Sequence, residues 1–353
     1  MASNIVGRHL WTLDFWFTQG LETHMFVFMH FVGLGSALLA LLFLINNFLI
    51  FVMGAPGVIN TVGLTEFFGT EIAKGGYTTP LIIVGFIQTA LFLSVIIFAG
   101  YHVSKNRDMR ADARWLDKSS AYFVRAAFWA VFIIGLADAV LSFLRVEGLH
   151  VNVFGEDIAA IIALPAGRGM YFHLPLLVLA FFIALRDRSV SLIWLAFLVV
   201  IAEFLIVIAR FIYGYEQTFM GDLVRFWYAA LFLFASAYTL KEDGHVRVDV
   251  LYAGLREKTK CVLNSTGAIF FGIPLCWLVL LRGLWGKSSL INSPMLNFET
   301  SMSGFGMYIK YFMAAFLIVF AFSMLLQFTS YLFSSMAKIE EGTFGSEQES
   351  GAA

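Results

Sequence analysis

An all-α protein embedded in a membrane is the fold class this sequence predicts, with about eight transmembrane helices and both termini cytoplasmic. Three observations predict it: a composition too apolar for water, apolar runs of bilayer length, and basic residues crowded into alternate connections. Of 353 residues, 60% are hydrophobic, 17% aromatic and only 13% charged, whereas soluble chains carry roughly 25% charged residues. That gap excludes a soluble enzyme and a disordered scaffold. Lys and Arg number 23 against 24 Asp and Glu, so no basic field exists to hold nucleic acid.

A helix rising 1.5 Å per residue crosses a hydrocarbon layer of about 30 Å with roughly 20 apolar residues. Runs of that kind extend over Met25 to Met53, Pro80 to Tyr101, Ala121 to Leu144, Met170 to Leu185, Val190 to Ile212, Leu223 to Leu240, Val262 to Leu281 and Tyr308 to Phe333. Inside lipid the backbone has to satisfy its own hydrogen bonds, so each run is expected to be helical. The fourth is the shortest, and it either starts at Met170 or reaches back to Ile158 to Leu164 across Pro165 and Gly167.

Cytoplasmic connections carry the excess of Lys and Arg. With the amino terminus inside, the inner segments hold Arg8, then Lys105, Arg107, Arg110, Arg114 and Lys118, then Arg186 and Arg188, then Lys241, Arg247, Arg256, Lys258 and Lys260, and last Lys338. The outer ones hold only Lys74, Arg145, Arg168, Arg282 and Lys287. The chain therefore divides into an interfacial segment, 1–23; a four-helix membrane region, 24–189; a second four-helix region, 190–335; and a polar tail, 336–353. The 29-residue first run is too long for a cleavable signal and is read as retained.

Ionisable side chains within a span cost at least about 2.5 kcal/mol at its centre, so each requires a partner, a cavity or an interface. Asp138 and Glu203 are the intramembrane acids. Glu203 and Arg210 stand seven apart, on one helix face, and predict a polar stripe toward a neighbouring helix. Asp138 and Arg145 repeat that spacing. Asp222 and Arg225, three apart at a helix start, are placed to pair, with the acid favoured by the helix dipole.

Other chemistries find no support. Cys261 and Cys276 lie about 22 Å apart along one helix, too far for a disulfide. His24, His30 and His102 fall near the inner surface and His150 and His173 near the outer one, without a deep facing pair for haem. No Walker loop, Gly-rich dinucleotide turn or nucleophile elbow is present, so no catalytic residue and no metal site is assigned.

The connection after the sixth run reads Thr239-Leu240-Lys241-Glu242-Asp243-Gly244-His245-Val246-Arg247-Val248-Asp249. Gly244 permits a sharp exit, and His245, Arg247 and Asp249 alternate with valine, facing helix ends or lipid head groups. With its surroundings this loop resembles the small membrane subunit of tripartite ATP-independent periplasmic (TRAP) transporters. The matching elements are Arg210-Phe211, Asp222, Gly244-His245, Arg247, Asp249, Glu299 with Ser301 and Gly304, Lys310 and Gln327. They cover about residues 190 to 335. Phe219-Met220-Gly221-Asp222 lacks the tryptophan and second acid usual before the second helix of that family, and the four helices of 24–189 are additional to it.

The resemblance implies a non-catalytic scaffold subunit of a sodium-coupled transporter in the bacterial inner membrane. Its partners would be the large membrane subunit, which carries the solute and sodium, a periplasmic substrate-binding protein, and phospholipid. Arg210, Asp222, Arg225, His245, Arg247, Asp249, Lys310 and Gln327 would then fix helix ends, lipid head groups or the larger subunit. The alternatives are a self-contained transporter, requiring a polar path along Asp138 and Glu203, and a haem-bearing anchor of an electron-transfer complex.

Overall fold

The structure, a computed structural model, describes residues 3–63, 77–105, 108–187, 193–215, 217–241, 252, 254–301 and 306–342, with side chains from residue 24 onward apart from those of 213 and 218. Among the described residues eight helices are long and apolar enough to cross a membrane. They are α1 (Ser3–Phe51), α3 (Thr79–Lys105), α4 (Met109–Val146), α6 (Pro165–Arg186), α7 (Ile193–Ile208), α8 (Thr218–Lys241), α9 (Glu257–Leu284) and α11 (Lys310–Glu341). Short helices α2 (Val58–Thr61), α5 (His150–Ala163) and α10 (Asn292–Leu296) lie between them. His245, Arg247, Asp249 and Gly304 fall outside the described residues.

The helix ends follow local chemistry more than the apolar runs do. Helix α4 begins three turns before Ala121 because Met109, Ala113, Leu116 and Ser120 recur at helical spacing and are buried, while Asp108 caps the start by accepting the Ala111 amide at 2.9 Å. Residues 158 to 164 are not the start of the fourth span. They belong mostly to α5, and the extended backbone of Leu164 (φ −95°, ψ 134°) separates them from Pro165, which opens α6. One π-helical turn, Gly169–His173, precedes Pro175 in α6, and another, Ala268–Gly272, precedes Pro274 in α9; a proline lacks the donor that an α-turn would use there. Helix α1 runs without a break at residue 23.

The core is built around α11, flanked by α4, α8, α9 and α1. Phe316 of α11 packs edge-on against Phe234 and tilted against Phe226 of α8, both with centroids 5.1 Å away. Between α4 and α11, small residues let the backbones approach: Ser120 Oγ donates to the Ser323 carbonyl at 3.0 Å and Ser330 Oγ to that of Ala113 at 2.8 Å. Gly135 of α4 receives the Trp227 indole of α8, which a Cβ would meet at 2.7 Å. Helix α1 is joined to α9 by Trp277 Nε1 to Ser36 Oγ, 2.7 Å, and by Asn47 Nδ2 to the Leu284 carbonyl, 2.6 Å. The two four-helix regions are therefore interleaved, with α4 and α1 of the first lying against α11 and α9 of the second.

Candidate functional site

Four helices bring their ends together where α4 finishes and α6, α8 and α11 begin; this is the far end of the bundle. Asp138 of α4 is fully buried there. Its Oδ1 accepts from Arg168 Nη1 at 2.9 Å and His173 Nε2 at 3.1 Å, both from α6, and its Oδ2 accepts from the Tyr308 amide at 2.9 Å, just before α11. Arg168 and His173 are fully buried too. With His173 Nε2 donating to the carboxylate, Nδ1 is the acceptor for the Tyr311 hydroxyl at 2.6 Å. Arg168 also bonds Ser142 Oγ at 3.1 Å and the Ile162 carbonyl at 3.1 Å.

A second arginine closes the same segment. Arg145 donates to the Tyr308 hydroxyl and, at 2.7 Å, to the Gly306 carbonyl. The Arg145 and Arg168 guanidinium groups lie 4.3 and 4.4 Å from the Tyr308 ring centroid, so the aromatic face helps to hold two like charges. Gly169 makes the convergence sterically feasible: a Cβ would stand 2.4 Å from Cε1 of Phe298 and 3.1 Å from the Tyr311 hydroxyl. Alongside, Asp222 of α8 takes the Met307 amide at 3.1 Å on one oxygen and Arg225 at 3.2 Å on the other. Two consecutive backbone amides, Met307 and Tyr308, are thus pinned by carboxylates from the two halves of the chain. The pairing is incomplete: Arg168 Nη2 and Arg145 Nε are buried without a hydrogen-bond partner among the described residues, a desolvation cost set against the ion pair and the shared bonds.

At the near end, where α4 begins, Asp112 accepts from two histidines, His30 Nε2 at 2.7 Å and His102 Nε2 at 3.0 Å. His30 is fully buried and stacks edge-on against Phe333 of α11 at 4.7 Å. Arg110 meets Glu341 at 2.6 Å. Asp112 thereby ties α1, α3 and α4 together as Asp138 does at the far end.

The structure places the sequence-predicted residues unevenly. Asp222 and Arg225 form the expected pair. Lys310 bonds Glu299, and Gln327 is buried beside a cavity between α4, α8 and α11. Asp138 and Arg145 act on one segment through different partners. The polar stripe expected of Glu203 and Arg210 does not face a neighbouring helix: both are exposed, because the buried face of α7 is set by Leu195 and Ala202. Sequence spacing does not group Arg168, His173, Tyr308 and Tyr311. The available signal is a basic residue and a histidine in the one stretch broken by Pro165, Gly167 and Gly169. Cys261 and Cys276 are buried free thiols, and among the described residues no group of three metal-binding side chains is suited to an ion.

Residues 197–336 match the family described as "Tripartite ATP-independent periplasmic transporters, DctQ component". The match begins within α7 and ends within α11, leaving α1 to α6 outside it. No curated protein and no solved structure matches the chain.

Proposed function

We propose that this chain, whose residues 197–336 match the DctQ component of the TRAP transporters, is a non-catalytic scaffold subunit of a sodium-coupled transporter in the bacterial inner membrane. It holds the large substrate-carrying subunit, to which a periplasmic binding protein delivers a small organic solute. The observation that carries the reading is the junction at Tyr308. Asp138, Arg145 and Arg168 from outside the family region grip the backbone and ring that lead into α11, which supports a set of helices that stays together while a neighbour moves.

The face offered to that neighbour is on α7 and the π-helical turn Ala209–Tyr213 that continues it. Val200, Phe204, Val207 and Phe211 are exposed along it at helical spacing, and Glu203, also exposed, stands midway through the Ile193–Ile212 span. A carboxylate facing acyl chains costs about 2.5–3.5 kcal/mol. A protein surface with a cation or hydrogen-bond donors at that depth removes the cost, and the large subunit is the occupant this reading assigns. The test is co-expression with the neighbouring transporter genes. The tagged chain should retain a large multi-helix membrane protein through purification, and in liposomes alone it should move no solute. Sodium-driven accumulation by the chain alone would overturn the reading.

A further inference from the structure

A cavity of about 200 Å³ lies between α4, α8 and α11 toward the near end, bounded by Asp117, Arg125, Lys241 and Gln327 with Val124 and Phe128 among its apolar walls. Its charges do not balance. Asp117 Oδ2 is bonded to Lys241 at 3.1 Å, leaving Arg125 without a carboxylate in the cavity. Arg125 Nε is buried and has no hydrogen-bond partner, and Asp117 Oδ1 is buried and unpartnered as well. The two residues are two turns apart on one face of α4, about 12 Å along the axis. Among the described residues no carboxylate is bonded to Arg125, and a cation one turn inside the apolar run that starts at Ala121 favours an anion beside it.

The cavity's lining defines that anion. Arg125 and Lys241 offer donors suited to a phosphate, Arg in the planar fork that phosphate oxygens accept. Asp117 Oδ1 offers an acceptor, which a hydroxyl can satisfy and a second anion cannot. Val124, Phe128 and Ala237 offer contact to hydrocarbon. Anionic oxygen, hydroxyl and acyl chain belong together in an acidic phospholipid with a hydroxylated head group. Lipids of that sort associate with basic pockets between transmembrane helices. We propose that the cavity receives the head group of one acidic phospholipid of the phosphatidylglycerol type, its phosphate on Arg125 and its head-group hydroxyl on Asp117, with the acyl chains leaving the cavity past Phe128. The lipid then fills the seam where α4, outside the family region, meets α8 and α11 within it. This inference does not depend on the transport role.

The full chain, purified in detergent, is titrated with phosphatidylglycerol, with phosphatidylcholine bearing the same acyl chains, and with inorganic phosphate. Thermal midpoint and native mass are the readouts. Phosphatidylglycerol should raise the midpoint and leave one lipid mass on the protein; the other two should do neither. Arg125→Gln should abolish both effects. Ala121→Phe, which projects a ring into the cavity from its α4 wall and leaves every charge in place, should do the same and decides the matter if the arginine variant does not fold. Unchanged lipid retention in both variants overturns the site. Equal stabilisation by phosphatidylcholine reduces the binding to acyl-chain packing and overturns the head-group assignment. A full shift with inorganic phosphate alone makes it a free-anion site and overturns the lipid.

Discussion

Helices α4 and α7 each carry one carboxylate well inside an apolar span, and the chain treats the two in opposite ways. Asp138 is fully buried, and both oxygens accept hydrogen bonds from α6 and from the segment before α11. Glu203 is exposed on a helix whose mean hydropathy is the highest of the eight spans, 2.7, and whose most apolar stretch is only 11% buried. The same chemical cost is met from within the molecule in one case and left to the surroundings in the other. Inside a bilayer, a satisfied charge therefore points to how the chain holds itself, and an unsatisfied one points to what it is made to contact.

Breaking the internal partner should have the largest effect. Asp138→Asn leaves Arg168 buried without its counter-charge and should destabilise the chain by about 3–5 kcal/mol, read as a lower thermal midpoint in detergent and reduced yield from membranes. Replacing both members with apolar residues, Asp138→Leu with Arg168→Met, should recover part of the loss. If the double variant is no better than the single, the cluster matters through Tyr308 and His173 rather than through the ion pair. Next in size is Gly169→Ala. Its methyl would meet the Phe298 ring, and Phe298 already holds a left-handed backbone, φ 48°, so the ring has little freedom to retreat. Overpacking of this kind costs about 1–3 kcal/mol; a change within error would mean that the π-turn around Gly169 absorbs the added carbon.

The eight spans are legible in the sequence because apolar length is a one-dimensional property, and a run such as Pro80 to Tyr101 is too long and too apolar to be kept in water. The ends are less so. Whether α4 starts at Ala121 or Met109 depends on which face of an amphipathic segment finds α11, and that is decided by tertiary packing. The same limit applies to charge. Asp222 and Arg225 can be paired from sequence because they share a helix turn, whereas Asp138 and Arg168 are brought together only by the course of the chain through α5 and α6. Spacing puts Glu203 and Arg210 on one face, but periodicity alone does not say whether that face turns inward. Leu195 and Ala202, buried about a quarter turn round the helix, decide it.

A smaller effect is expected between α4 and α11 away from the charges. Ser120→Ala removes the hydroxyl bonded to the Ser323 carbonyl, and that carbonyl keeps its place in the α11 backbone. Interhelical bonds of this sort average about 0.6 kcal/mol in membranes. A loss well above that, in a thermal or denaturant titration, would mean that Ser120 also closes the adjoining cavity.

The smallest effect on the chain itself should come from Glu203→Leu, and this makes it the sharpest test of the contrast. The carboxylate is exposed rather than packed within the bundle, so the isolated subunit should unfold at the same midpoint or slightly higher, since an apolar residue is cheaper to keep in lipid or detergent. Association should respond in the other direction. If a donor on the large subunit covers Glu203, the leucine leaves that donor unpaired, so the amount of large subunit retained should fall, and Glu203→Lys should retain less still. Asp138→Asn supplies the control, because there a loss of partner would follow a loss of fold. Should Glu203→Leu raise stability and leave retention intact, the α7 face is bathed in lipid, and the partner sits elsewhere on the bundle.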